Sequence, residues 1–356
     1  MEMTYAGFDP GHNANKFARV QAGQISTYVL PSTVGLASRS KKDGLTLGGV
    51  VRPRRAVQPP LRVVFEGIEY LVGPNVDQFT KPIDRLDLNR FTDSPELRAT
   101  FYAGAYQLLN GGVHHLALAM ALPVTVLEDK VEATRLERAI RSWLVGEHGF
   151  SVDGVETVLT VTHLRTKIPQ PVATWFDWGL DATGQWVKGK AAQRAPTLII
   201  DEGFNTLDVL VIENGQISDR LSGGDTLGMS RAAEELMELI KHRYAGLTIE
   251  LQRANDLIKQ AVNGQKVEIY VHGELTDVTR LAKGCLQSLE ADVDNYLLRS
   301  MGKLKDAYKV LLTGGGALAM APRLLRRFPA ATVMYEPVLA NARGLAKLAI
   351  RPGFLN

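Results

Sequence analysis

The sequence predicts an α/β protein made of two similar domains with a cleft between them. Three observations carry this. The chain has 356 residues, a length that favours two domains over one. Two Asp–Gly turns, far apart, each follow an apolar strand: Phe8-Asp9-Pro10-Gly11-His12-Asn13-Ala14-Asn15-Lys16, and Leu198-Ile199-Ile200-Asp201-Glu202-Gly203-Phe204-Asn205-Thr206-Leu207-Asp208. After each turn the pattern strand, hairpin, helices follows, so a duplicated α/β unit is the economical reading. No exact repeat is visible, and the likeness is confined to the turns.

In chain order, residues 4–8 and 16–30 read as strands, with turns at Asp9–Asn15 and at Ala22-Gly23. Residues 35–60 lack periodicity and read as a cation-rich, loop-rich segment of a small subdomain. Strands at 62–65 and 69–72 flank Glu66-Gly67, a hairpin signal. Asp93-Ser94-Pro95-Glu96 opens a helix that runs to Leu109 and stops at Asn110-Gly111-Gly112. His115–Leu122 is a strand. Residues 128–146 form an amphipathic helix with Val131, Leu136, Ile140 and Leu144 near one face. Val155–Thr162 is a further strand, and 165–195 a connecting region rich in Pro and Gly. The pattern then restarts with a strand at 197–200 and a hairpin of 207–213 with 216–221 around Asn214-Gly215. Helices are expected at about 226–244, 249–262 and 275–302, with a short strand at 267–271. The strand 309–312 enters Thr313-Gly314-Gly315-Gly316, and helices at 317–327 and 339–350 close the chain.

Composition narrows the function classes. Hydrophobic residues are 45% and charged residues 22%, ordinary for a globular protein whose core needs no disulfides. The single cysteine, Cys285, excludes an intrachain disulfide and fits a cytoplasmic setting. Met1–Tyr5 lacks the basic and apolar regions of a signal peptide. No run approaches the ~18 apolar residues of a membrane span. A net charge of +3 is too small to imply nucleic-acid binding by itself.

Chemistry is expected at the turns. Glycine lets backbone N–H groups approach an anion, because no Cβ intervenes. Asp9 and Asp201 repel phosphate directly, and make sense with Mg²⁺ between carboxylates and phosphates, retaining several waters. Lys16 adds a point charge for phosphates, and Thr206 a hydroxyl. The alternative for the first turn alone is an ordinary hairpin. Glu202 beside a polyphosphate is repulsive unless it points away.

Together these segments resemble the actin superfamily. Phe8–Lys16 resembles its first phosphate loop, Ile200–Asp208 the second, and Leu311–Ala317 the adenosine loop. Residues 165–175 and 336–344 resemble the two inter-domain connections. Val64–Gly73 and Ser222–Gly228 are most similar to ParM-type plasmid-segregating actins and their archaeal relatives. The resemblance implies two actin-like (ribonuclease H-like) domains, each a mixed sheet flanked by helices, around an interdomain nucleotide cleft. Domain I is then 1–168 plus 338–356, with 32–90 as its small subdomain. Domain II is 169–337, with 226–305 as its helical subdomain. It implies ATP or ADP and Mg²⁺ as cofactors, with Asp201 as the principal metal-associated acid and Asp9 as its partner. Gln170 matches the residue that orients the attacking water, although ParM-type proteins often carry Glu there. Asp9, Gly11, His12, Asn13, Lys16, Gly203, Phe204, Asn205, Thr206, Gly224, Gly314, Gly315 and Gly316 are the implied nucleotide-binding residues. Pro10, His12, Glu202 and Phe204 depart from the commonest choices.

The function this implies is an ATP-hydrolysing protein that polymerises with itself in a nucleotide-dependent way, for plasmid or other DNA segregation, with a DNA-binding adaptor as a further partner. The alternatives are a small-molecule kinase of the same superfamily and a cell-shape actin homologue. A kinase needs a carboxylate base beside a sugar pocket, and none is apparent. A cell-shape actin wants a membrane-seeking N-terminal segment, which residues 1–6 do not supply. A chaperone-type ATPase wants a substrate-binding domain beyond Asn356. Other features read as structural. His114-His115 has no third metal ligand, and Cys285 sits in a helical pattern. Trp175 and Trp178 are packing anchors, with a subunit contact as the alternative. Arg39, Lys41, Lys42, Arg52, Arg54 and Arg55 form a solvated loop, with nucleic-acid contact as the alternative.

Overall fold

A computed structural model describes residues 3–37, 58–83, 90–301 and 309–354. The cationic segment from Arg39 to Arg55 lies outside the described residues. The first sheet contains β1 (Met3–Pro10), β2 (Ala14–Gln21), β3 (Gln24–Pro31), β4 (Val34–Leu36), β5 (Leu61–Phe65), β6 (Ile68–Val72), β7 (Gly112–Leu122), β8 (Gly146–Val152) and β9 (Val155–Pro169). Its helices are α1 (Val76–Phe79), α2 (Arg90–Asp93), α3 (Pro95–Leu109), α4 (Val124–Glu128) and α5 (Lys130–Leu144). Next come α6 (Gln170–Gly179) and α7 (Gly189–Arg194). The second sheet contains β10 (Thr197–Glu202), β11 (Leu207–Glu213), β12 (Gln216–Ile217), β13 (Gly223–Asp225), β16 (Lys309–Thr313) and β17 (Thr332–Val333). Between β13 and β16 lie α8 (Met229–Arg243), α9 (Leu251–Val262), the hairpin β14 (Glu268–Val271) with β15 (Glu274–Asp277), and α10 (Thr279–Met301). The helices α11 (Ala317–Arg327) and α12 (Ala340–Ala349) flank the chain's last strand.

The duplication is in the topology. The first sheet contains the order β3-β2-β1-β7-β9, and the second β12-β11-β10-β16-β17. In each, an antiparallel meander adjoins two strands that run parallel to its first member. β1 and β10 are therefore equivalent strands. Both are buried along their C-terminal halves, which is why both read as near-continuous apolar runs rather than alternating ones. This is an actin-like fold, two mixed sheets flanked by helices.

Each domain has its own core. In the first, Phe8 stacks on Phe17 with ring centroids 4.8 Å apart, and Phe101 of α3 lies 5.3 Å from Phe8. α3 starts as its sequence requires: the Leu97 N–H donates to the Ser94 hydroxyl at 3.1 Å, and Asn110 ends the helix in a left-handed conformation with φ 63°. In the second, α8, α9 and α10 pack Leu236, Leu257 and Leu289 together. Cys285 is fully buried there, and burial pushes its thiol up to about 12.

The connections hold the site in place. α12 lies against both β1 and α6. A Cβ on Gly7 would stand 2.3 Å from the Ala342 carbonyl oxygen, and one on Gly344 would stand 1.7 Å from that of Ala173. Both glycines are what let three backbones approach this closely.

Several expectations need correction. Val131 is 81% exposed, because α5 begins at Lys130 and turns Ala133, Leu136, Ile140, Trp143 and Leu144 inward instead. Residues 146–152 form β8, hidden in the sequence by two glycines and by burial of only alternate side chains. The connecting region is more regular than its prolines suggest: β9 continues to Pro169, and Pro171 sits in the first turn of α6, where its missing N–H costs nothing. Residues 274–277 are strand rather than helix, paired with β14. The strand expected at 216–221 stops at Ile217 and passes into a 3₁₀ turn.

Candidate functional site

β1 and β10 deliver the two Asp–Gly turns to one cleft of about 850 Å³. The turns share a closing bond: the Gly11 N–H donates to the Ala14 carbonyl at 3.2 Å, and the Gly203 N–H to the Thr206 carbonyl at 2.9 Å. A Cβ on Gly11 would lie 2.5 Å from the Ala14 oxygen, and one on Gly203 would lie 2.9 Å from the Thr206 oxygen. The glycines are thus needed by the turns themselves.

Cross-strand register sets the charges. Asp9 pairs with Lys16 across the β1–β2 ladder, and Lys16 Nζ lies 3.2 Å from Asp9 Oδ2. Asp201 pairs with Asp208 across the β10–β11 ladder. The first turn holds an acid–base pair and the second an acid–acid pair. Burial, opposed by a hydrogen bond from Asn341 and aided by the Asp9 charge, pushes Asp201 up to about 6. Burial together with the Asp201 charge pushes Asp208 up to about 7, against a hydrogen bond from Thr206.

Side chains from other elements complete the cluster. Gln170, the first residue of α6, donates its Nε2–H to Asp9 Oδ1 at 2.8 Å. Asn341 of α12 donates its Nδ2–H to Asp201 Oδ2 at 2.8 Å. Thr206 donates its hydroxyl proton to Asp208 Oδ2 at 3.0 Å, so toward a ligand its oxygen acts as an acceptor. This differs from the donor role expected for it.

The Gly314–Gly316 turn forms another wall. Gly314 has φ 96°, a left-handed conformation, and a Cβ there would lie 2.4 Å from Asp201 Oδ1. A Cβ on Gly316 would lie 2.5 Å from Glu202 Cγ. Only Gly315 faces open space, its nearest neighbour being Val338 Cγ2 at 3.9 Å. Two of the three glycines serve the protein's own packing, and one is open to a ligand.

Glu202 points away from the cleft. It is fully buried against Gly316 and Met229, and its carboxyl oxygens have no hydrogen-bond partner. Burial, with Asp201 and Asp208 nearby, raises it well above the usual carboxylate range, which favours its uncharged form. The repulsion expected of it applied unless it pointed away, and it does point away, since it is buried and does not line the cleft.

The cleft brings together Asp9, Gly11, His12, Asn13 and Lys16 from the first turn, and Asp201, Gly203, Phe204, Asn205 and Thr206 from the second. Gln170, Gly224, Gly314, Gly315 and Gly316 line it as well. Lys259, Glu336 and Asn341 also line it and were not anticipated. Lys259 and Asn341 lie within helical patterns and carry no local signal, while Glu336 announces itself only by a left-handed backbone, φ 39°. Among the described residues, no three His, Cys, Asp or Glu side chains cluster closely enough to ligate a metal directly. His114 bonds the Gly111 carbonyl through Nε2, in keeping with a structural role. Among the described residues no helix is long and apolar enough to cross a membrane.

A family model described as the N-terminal domain of actin-like proteins matches residues 7–172. One described as archaeal actin homologue MreB-like, C-terminal, matches residues 199–326. Compared with curated protein sequences, the chain has no significant match. Among solved structures, a 15-stranded ParM filament from Clostridium botulinum aligns over 98% of this chain and 99% of that one, with 16% identity and a TM-score of 0.74. An archaeal actin homologue in complex with ADP aligns over 98% and 99%, with 15% identity and a TM-score of 0.70. Bacillus thuringiensis ParM with ATP aligns over 97% and 98%, with 15% identity and a TM-score of 0.65. At such identities the likeness to these structures is one of fold. With actin-like family models matched to both halves in order, the chain belongs to the actin superfamily.

Proposed function

We propose that this chain is an ATPase that takes ATP with Mg²⁺ into the interdomain cleft, hydrolyses it to ADP and phosphate, and polymerises with itself according to the nucleotide held. The observation that carries this reading is the convergence of Asp9 and Asp201, from equivalent strands of two sheets, on one cleft where Gln170 is bonded to Asp9. Solved neighbours of the same fold hold ADP and ATP, and one is a filament. Domain I in this reading is 1–168 plus 338–356, and domain II is 169–337.

The residues fit a divalent cation. Two buried acids facing each other across the β10–β11 ladder, both raised by burial, create a local need for positive charge. Asp9 and Asp201 would hold Mg²⁺ through its waters, since hard cations of this size keep most of their hydration. When bound, Mg²⁺ supplies neutralisation of the charge that develops on the transferred phosphoryl group. Lys16 places a further cation at the first turn. Gly315 leaves backbone open to the nucleoside. Gln170 works by position: with its Nε2–H committed to Asp9, its Oε1 is left to accept a proton of the attacking water and hold it in line. A neutral amide orients rather than deprotonates, which suffices where catalysis is mostly positioning and electrostatics.

Nucleotide contact from both domains favours one cleft angle, and head-to-tail contacts that select this angle give an open filament. Loss of the terminal phosphate removes contacts and weakens the lattice. Movement of plasmid or other DNA in the cytoplasm, through a DNA-binding adaptor, is the cellular role in this reading. Sedimentation with ATP and Mg²⁺ tests it, with ADP as the control. Polymer pelleted with ATP alone is expected; absence of polymer, with sugar-dependent ADP release, would replace this reading with a kinase. Asp201→Ala is expected to abolish hydrolysis, and Gln170→Ala to slow it by roughly 100-fold while nucleotide affinity stays within threefold or so of the original.

A further inference from the structure

We propose that Asn341 is a positioning residue for Asp201, held in place by Thr174, so that a single stripe of α6 fixes both cleft acids. This rests on the nucleotide reading of the cleft and assigns a role that reading does not contain.

Asn341 is 6% exposed and Thr174 is fully buried. The Asn341 amide makes two contacts. Its Nδ2 lies 2.8 Å from Asp201 Oδ2, and its Oδ1 lies 2.7 Å from Thr174 Oγ1. The orientation of the amide is dictated by chemistry. An ionised carboxylate only accepts, so the NH₂ group must face Asp201 and the carbonyl must face Thr174. The Thr174 hydroxyl then has to donate to Asn341. Its oxygen stands 3.0 Å from Thr313 Oγ1, at the end of β16 and beside the Gly314–Gly316 turn. An aliphatic side chain at 341 would leave the Asp201 oxygen without this donor, and valine at 174 would leave the Asn341 carbonyl without its donor and the amide less firmly held.

Thr174 lies one helical turn after Gln170, so the two share a face of α6. Gln170 reaches Asp9 directly. Thr174 reaches Asp201 through Asn341. Asp177, the next residue on that stripe, is bonded to Arg343 at 2.7 Å and to Lys347 at 2.8 Å, both on the helix that carries Asn341. A rotation or slide of α6 relative to either sheet therefore moves the supports of both acids together. The acids come from different domains, and α6 is where their positions are compared.

The test is equilibrium binding of a fluorescent ATP analogue to the intact protein, with Mg²⁺ and with EDTA. In the unaltered protein Mg²⁺ is expected to tighten binding. In Asn341→Leu that magnesium-dependent gain is expected to fall about tenfold, as for other residues that orient a metal-associated carboxylate, a loss larger than any change in metal-free affinity. Thr174→Val, which removes one hydroxyl, is expected to cut the gain roughly threefold, and Thr174→Ser to restore it. Equal losses with and without metal would indicate a merely structural role and overturn the inference, as would an unchanged gain in both variants. If Asn341→Leu does not fold, the comparison of Thr174→Val with Thr174→Ser decides alone. An absence of any magnesium-dependent gain in the unaltered protein sinks the nucleotide reading itself, and the positioning role with it.

Discussion

Asp177 is the anion on which α6 and α12 are fastened together, and removing its charge should be costly. It is buried with Arg343 and Lys347, whose side chains are 10% and 11% exposed. Arg343 reaches it through Nε at 3.1 Å and Nη2 at 2.7 Å, and Lys347 through Nζ at 2.8 Å. At an effective dielectric constant of about 20, each cation gains roughly 6 kcal/mol against Asp177 before desolvation is counted. Asp177→Asn keeps the shape and removes both attractions, leaving two buried like charges whose remaining anion is the half-exposed Glu336, 3.7 Å from Arg343 Nη1. Breaking a buried pair in this way costs about 3–5 kcal/mol. Arg343 keeps its bond to the Tyr335 carbonyl, so a value near 3 kcal/mol is expected. Replacing all three residues by leucine removes the desolvation penalty together with the attraction and should cost far less, about 1 kcal/mol or below. Urea denaturation followed by tryptophan fluorescence measures both, since Trp175 and Trp178 lie on α6 itself. A single variant within 1 kcal/mol or so of the original, or a triple variant as unstable as the single one, would refute the reasoning.

Two further outcomes follow from the first domain. Gly104→Ala should destabilise by about 1–3 kcal/mol, because a Cβ there would lie 2.1 Å from the ring of Phe17; alanine's better helix propensity acts the other way, so a raised melting temperature would show that the ring has room to move. His148 is buried, accepting from the Tyr102 hydroxyl at Nδ1 and donating to the Leu144 carbonyl from Nε2, and burial lowers its pKa below 6.5. A base depressed in the folded state contributes stability above its unfolded pKa of 6.5, and that stability is lost as pH falls through the lower folded value. The unaltered protein should therefore lose more unfolding free energy between pH 7.5 and pH 5 than His148→Gln does; equal losses, in paired denaturation curves, would remove His148 from the account.

What was legible in the sequence was local. Asp9, Gly11, Asp201 and Gly203 stand where an apolar run meets a turn, and both the run and the turn are fixed by neighbours within a few residues. The Ser94 cap and the Glu66-Gly67 hairpin are of the same kind. What escaped depends on distance along the chain. Asn341 reads as one more residue of an alanine-rich helix, yet its partner Asp201 is 140 residues away. Asp177 and Arg343 are 166 residues apart. β8 and β15 were hidden for a related reason, since each is held mainly by a partner strand rather than by its own apolar pattern. Glu202 was visible as an anomaly, and only its burial shows that the acid faces the core rather than the cleft.

The two turns are alike in backbone and unlike in charge, and this difference bears on how the cleft would work. The ladder position that places Lys16 opposite Asp9 places Asp208 opposite Asp201. The first turn is therefore balanced within its own hairpin, whereas the second carries two acids whose ionisation is opposed by burial. A ligand with negative charge alone would meet repulsion on the β10 side. A polyphosphate carrying a divalent cation presents both signs, and the cation answers the acids that Asn341 alone cannot. Such a ligand is bound best when both hairpins reach it at once. The β1 hairpin without its partner lacks the unbalanced acids, and the β10 hairpin without its partner lacks Lys16 and the Gln170-supported Asp9. In the proposed reading, closure of the two sheets on the ligand follows from dividing the charges between them, and would give nucleotide state a physical basis for setting the angle that a polymer contact selects.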